Sequence, residues 1–310
     1  MSLANTVLTY GDQSRKEDVV LNAIEYLTAT ENTFQTAIGK TKAIDTVHSF
    51  LVDTLDTPGS LAVAMGTDFT IGAGTTPTRL TNVVEEVARA FRVAMPQDEV
   101  AHYWGGESET DRQLTKGLKS WGNALEFDLI RSTLVSGVSG TTAKMAGVIQ
   151  AISKSTNTTA QTSGTVFSAT ILDGLMALNW TNSNGDVATE LLVGGIGRRI
   201  IDGFVQKSNV VVNTPSSIAN IIRTVSTFET SMGTVRVWKH RYVDIDGTDA
   251  TVRVLGFRPE KLATAYLLKP SILDLARSGA YTAKSVYGSA TLEVKNQDSN
   301  FFASGYLRSA

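Results

Sequence analysis

Leu114, Leu118, Trp121, Leu125 and Leu129 recur at intervals of four, three, four and four residues. That spacing lines them up along one side of an α-helix and matches no strand. Arg112, Lys116, Lys119, Asp128 and Arg131 fall on the other faces. Ser108 stands in N-cap position with Asp111 at N3, and Glu107 and Glu109 complement the positive helix end. With Gly137 and Gly140 as stops, the reading is a helix over about residues 108–135, roughly 25 residues and about 38 Å long. A helix of that length suits the backbone of a flat subunit.

The segments around it carry other periods. Ser14-Arg15-Lys16-Glu17 has capping-box spacing, and Val20, Ala23, Ile24 and Leu27 continue it as a short amphipathic helix. Residues 46–55 and 78–93 read as strands, rich in Val and Thr. Between them lie Pro58, Gly59, Gly66, Gly72, Gly74 and Pro77 among small residues that bury little surface. The stretch is read as a long β-hairpin projecting from the body; an unstructured surface loop fits its composition equally.

Beyond the Ser/Thr/Gly-rich stretches 136–142 and 153–164, helix and strand patterns alternate. Residues 167–180 read as helix, 190–193 as strand, 198–205 as helix, 210–213 as strand and 216–227 as helix, which together suggest a compact α/β unit. After Gly233 the period becomes two: Val235, Val237 and Val243 face one way, Trp238 and Tyr242 the other. Asp246-Gly247 is a turn, and residues 251–255 return. Residues 259–267 and 271–276 are short helical or extended pieces, and 291–295 is read as the final strand.

Catalytic candidates are scarce. The 310 residues contain no Cys and three His: His48, His102 and His240. Disulfides, thiolate metal sites and thiol nucleophiles are therefore excluded. No His has a second His nearby, and a carboxylate at i±3 or i±4 alone does not make a ligand set, so neither metal nor cofactor is expected. Gly194-Gly195-Ile196-Gly197 resembles a dinucleotide turn, but Ile200 stands where the motif's last Gly belongs, and a tight strand-to-helix turn is the better reading. Asp244, Asp246 and Asp249 lack the order of a calcium loop. His102-Tyr103-Trp104 reads as packing against the helix start. The net charge of −2 argues against an autonomous nucleic-acid binder. Neither a signal peptide nor an apolar run long enough to span a bilayer is visible, and the chain is expected to stay in a cytosol.

Taken in order, several segments resemble one family, the major head proteins of tailed bacteriophages with the Hong Kong 97 type capsid fold, in particular the SU-ten-like lineage. The resemblance is carried by Phe34 to Lys40 followed by Thr46 to Phe50, by the Pro58-Gly59 turn and its loop, and by the helix from Ser108. Its most specific part is the closing third: Pro259 to Leu267, Leu273 to Gly279, Tyr287 and Thr291 to Asn296. One departure is Glu31-Asn32-Thr33-Phe34, where the family usually has a Pro before the Phe.

The resemblance implies an α+β fold in four parts. Residues 1–45 would be an N-terminal arm and 46–95 an extended hairpin laid over a neighbouring subunit. Residues 96–146 and 231–310 would form a peripheral domain built on the helix as a spine, and 147–230 an α/β axial domain around hexamer and pentamer centres. It implies a self-assembling icosahedral shell around double-stranded DNA held without sequence specificity. The expected partners are a portal and scaffold or decoration proteins, with no membrane, and the expected location is the virion after assembly in host cytoplasm. The competing readings are an encapsulin-like nanocompartment, a cytosolic α/β enzyme, and a tail or decoration protein.

Overall fold

The computed structural model describes residues 32–53, 60, 62–63, 65–66, 74, 76–103, 108–138, 140–152, 158–160, 165–207, 227–244 and 251–307. The capping-box helix after Ser14 and the elements expected over 210–227 lie outside these residues.

The chain enters through a one-turn helix, α1 (Thr33–Ala37), and a short strand, β1 (Gly39–Lys42). Phe34 and Ile38 are buried, so this end of the expected arm belongs to the core. An antiparallel ribbon follows, β2 (Val47–Val52) with β3 (Thr78–Val83), in register from Val47 opposite Val83 to Val52 opposite Thr78. The expected strand over 78–93 is two strands. After buried Val84 the chain leaves the ribbon, and β4 (Glu85–Ala94) pairs with another sheet. Then come α2 (Met95–Tyr103) and the long helix α3 (Glu109–Arg131), whose 23 residues span about 35 Å. It stops at Arg131, before Gly137 and Gly140. Ser132 turns to an extended conformation, and the strap that follows folds back, bridging Val135 to Lys144.

Short α4 (Val148–Ile152) and β5 (Thr158–Ala160) lead to α5 (Ala169–Asn182), β6 (Glu190–Val193), α6 (Gly195–Lys207), β7 (Thr227–Thr230), β8 (Gly233–Lys239) and β9 (Thr251–Phe257). The chain closes with β10 (Leu262–Asp274), β11 (Tyr281–Val294) and β12 (Phe301–Leu307). The two expected pieces at 259–276 are a single-turn 3-10 helix, Pro259–Lys261, and then one continuous strand. Pro270 is accommodated because the β10–β11 register shifts between Leu268 and Ser271, where no ladder hydrogen bond is lost. Residues 291–295 are mostly the end of β11 and are not the last strand. β12 was hidden by its Ser304-Gly305 interruption, which supplies a positive φ of 84° at the register shift between Ala303 and Tyr306.

The strands form a four-stranded sheet in the order β1-β10-β11-β4, a six-stranded sheet β5-β12-β9-β6-β8-β7, and the two-stranded ribbon. β8, β9 and β12 join β6, so the boundary expected at residue 230 does not coincide with the division between sheets. The reason lies in β6, whose Leu191-Leu192-Val193 run is buried on both faces and needs neighbours on both sides. Leu192 points into one core with Leu255, Phe257, Leu125, Leu129 and Leu292. Leu191 and Val193 point into a second core with Val252, Val254, Leu172, Met176 and Ile201.

Candidate functional site

Five of the described glycine, proline and apolar positions of the hairpin are on its outside. Gly66, Gly74 and Pro77 are exposed, as are Val63 and Met65. Pro58, Gly59 and Gly72 lie outside the described residues. Within the ribbon Leu51 is 69 % exposed and Val47 is also open to solvent. Two strands alone bury too little to be stable in water. The ribbon is held at its base. Asn82 donates to the Leu292 carbonyl at 2.8 Å and to the Ala146 carbonyl at 3.1 Å, and its Oδ1 accepts from Ala146 N at 2.9 Å. His48 Nε2 lies 3.3 Å from Glu293 Oε2, which places this histidine as a partnered base residue. A second open apolar region lies on the far half of β10, where Leu268, Ile272 and Leu273 are exposed beyond the reach of β1.

On α3 the structure buries Trp121, Leu125 and Leu129, half-buries Leu114 and leaves Leu118 44 % exposed. Gly117 takes the buried place expected of Leu118: it sits against Val286 and Phe91, which lets the helix approach β11 and β4. Trp121 fixes that approach by donating from Nε1 to the Val87 carbonyl at 2.9 Å. Ser108 does not cap the helix as expected. Asp98 of α2 does so from outside, accepting from Thr110 N at 3.0 Å and from Ser108 Oγ at 2.5 Å. A carboxylate supplied by a packed neighbour replaces the local hydroxyl.

Two acidic joints tie α3 to its neighbours. Glu126, fully buried on α3, accepts from the amides of Phe34 and Gln35 at 2.6 and 2.8 Å and lies 3.0 Å from His240 Nε2, also fully buried. One carboxylate therefore caps α1 and satisfies the histidine at the end of β8. Its signal was legible: an acid beside Leu125, within the apolar stripe. In the last turn of α3, two residues beyond Glu126, Asp128 comes near Glu85 of β4, which accepts from Met145 N at 3.1 Å. Burial pushes the Asp128 carboxyl up to about 7, with the Glu85 charge adding to it and Lys144 opposing it. Glu85 is raised as well, mainly by burial, against the Met145 amide, Lys144 and Ser132.

The glycine turn carries no phosphate site. A Cβ at Gly194 would fall 1.4 Å from Asp244 Oδ2, so the chain's own carboxylate fills the space before α6. The side chains of His102, Tyr103 and Trp104, and residues Asp246 and Asp249, lie outside what the structure describes. Among the described residues no cluster of three potential metal ligands occurs, and no helix is long and apolar enough to cross a membrane.

A long helix packed on a four-stranded sheet, a second module around a six-stranded sheet and a two-stranded ribbon together define an α+β fold. Solved structures agree. The capsid of Myoviridae phage XM1 matches with a TM-score of 0.60 at 14% identity, covering 92% of this chain and 96% of that one. The capsid of an empty GTA particle matches with a TM-score of 0.60 at 14% identity, covering 92% of each chain. The SrpI encapsulin of Synechococcus elongatus PCC 7942 matches at 0.59 and 12%, covering 94% of each. At these identities the likeness establishes the fold alone, that of Hong Kong 97 type capsid proteins. No curated protein sequence is significantly similar to it. Residues 4–306 match the SU10 major capsid protein family, and the chain belongs to that family. It is a shell-forming structural subunit.

Proposed function

We propose that copies of this chain assemble as hexamers and pentamers into a closed icosahedral head, with the β2–β3 ribbon of each copy lying on a neighbour. The observation that carries this is the ribbon itself. It has two strands, no third partner among the described residues, and exposed Val47, Leu51, Val63 and Met65. Such a surface gains stability only when another surface covers it. In a shell every subunit offers and receives one such contact, and many modest interfaces act together. The shell encloses double-stranded DNA without reading its sequence, consistent with a net charge of −2. The role is structural and non-enzymatic, assembly takes place in host cytoplasm, and the partners are a portal and scaffold or decoration proteins.

The test is deletion of residues 66–76. The variant is expected to remain folded and soluble, and to give no complete shells by negative-stain electron microscopy. Normal shells from it would overturn the ribbon's role. The likeness to an encapsulin keeps a protein-filled compartment as the second reading. Co-expression with the neighbouring genes separates them, since DNA-filled heads support the first and particles loaded with protein support the second.

A further inference from the structure

The C-terminal end of α3, the base of the ribbon and the returning strap meet at one point, and two acids are placed there. Ser132 N donates to the Asp128 carbonyl at 3.0 Å, and Gly147 N donates to the Ser132 carbonyl at 2.8 Å. The strap lies so close to the helix end that a Cβ at Gly147 would fall 2.8 Å from Ser132 N and 2.9 Å from the Asp128 carbonyl oxygen. Asn82 of the ribbon base and Glu85 at the start of β4 grip the same strap, on Ala146 and Met145 respectively. Any change in the angle between ribbon and helix therefore acts through this junction.

A helix C-terminus carries partial negative charge and ordinarily attracts Lys or Arg. Here the last turn holds Asp128, and β4 brings Glu85 against the same end, with its Oε2 3.5 Å from Ser132 Oγ. Glu85 is buried and Asp128 partly buried at a negative helix end, so charging both costs desolvation first and mutual repulsion second. Lys144 of the strap offsets part of the charge on both, and Arg131 is the other charged group of this helix turn. On the β11 side the ionisable groups are Glu293, His48 of the ribbon at 3.3 Å from it, and Lys295 at 3.8 Å.

We propose that this junction is a proton-controlled hinge: with a proton held on the Glu85–Asp128 pair the ribbon base is locked to the helix end, and loss of that proton loosens it. A carboxyl that binds its proton more tightly folded than unfolded stabilises the closed junction below its folded titration point and ceases to do so above it. The junction is therefore closed at mildly acidic pH and opens as the pH rises past neutrality. It belongs to the single chain and stands whether or not shells form.

The experiment is hydrogen exchange by mass spectrometry on the full-length protein at pH 6 and pH 8, corrected for intrinsic exchange rates. Peptides covering 82–86 and 144–148 are compared in wild type, Asp128→Asn and Glu85→Gln. In wild type, protection at the junction is expected to fall by about tenfold over this range, the linkage expected of one carboxyl moved from an ordinary value to about 7. In Asp128→Asn, which resembles the protonated acid in shape, the fall is expected to be less than about twofold. An equal fall in both proteins would overturn the proposal and point to a group other than Asp128. A wild-type junction equally protected at both pH values would overturn it too. Should Asp128→Asn not fold, Glu85→Gln keeps the test decisive: it removes the smaller, electrostatic cause and leaves burial, so the fall is expected to shrink without vanishing, and an unchanged fall would overturn the proposal.

Discussion

Glu126 shows how much one buried acid can hold. Its oxygens receive the second and third amides of α1 and face His240, so truncation would strand a buried histidine and two backbone donors at once. Glu126→Ala should cost the unassembled subunit about 3–5 kcal/mol, the range for breaking a buried polar pair by removing one partner. Glu126→Gln, whose carbonyl can still accept one amide, should recover part of that. Chemical denaturation of both variants checks the ranking, and an Ala variant as stable as wild type would show that water replaces the carboxylate. Nothing near His240 in the sequence points to this partner, which lies 114 residues away.

α3 is the element where periodicity was most informative and also where it misled by one position. A 3.6-residue period identifies a helix, but which side is buried depends on what crosses it. The sheet meets α3 at Gly117 and Trp121, and core residues wrap its second half from Leu125 to Ile130. Leu118, in the middle of the stripe, is left facing outward. Leu125→Ala is therefore expected to destabilise the isolated subunit by about 2–5 kcal/mol through the cavity it leaves, and Leu118→Ala by less than about 0.5 kcal/mol. Thermal melts of the two variants decide this, and equal losses would mean that the helix is seated differently. A stable Leu118→Ala protein with defective shells would mark the exposed leucine as a contact between copies.

In the whole molecule, β6 and β9 belong to both cores at once: Leu192, Leu255 and Phe257 face one, and Leu191, Val193, Val252 and Val254 face the other. Two modules that share a sheet cannot lose one core without stripping half the burial from the strands of the other. The unassembled subunit is expected to unfold in a single calorimetric transition with matching calorimetric and van't Hoff enthalpies. Two separated peaks would show that the modules are independent despite the shared strands. The same sharing shows in the path of the chain on either side of residue 230. The chain leaves the six-stranded sheet after β6 and re-enters it with β7, β8, β9 and finally β12.

Local pattern by itself determined the long helix, the strands at 47–52, 190–193, 233–239 and 251–257, the helices after 169 and 195, and the poverty of catalytic groups. Each of these rests on side-chain period, turn residues or residue type, which are properties of neighbours in the chain. The tertiary structure alone decided the rest. Asp98 in place of Ser108 as the cap of α3, the outward face of Leu118, the Glu126–His240 pair, the acids gathered at the end of α3 and the return of β12 into the second sheet all join residues far apart in sequence. Burial and hydrogen bonding across such distances depend on which surfaces meet, and that is fixed only when the sheets and the helix pack.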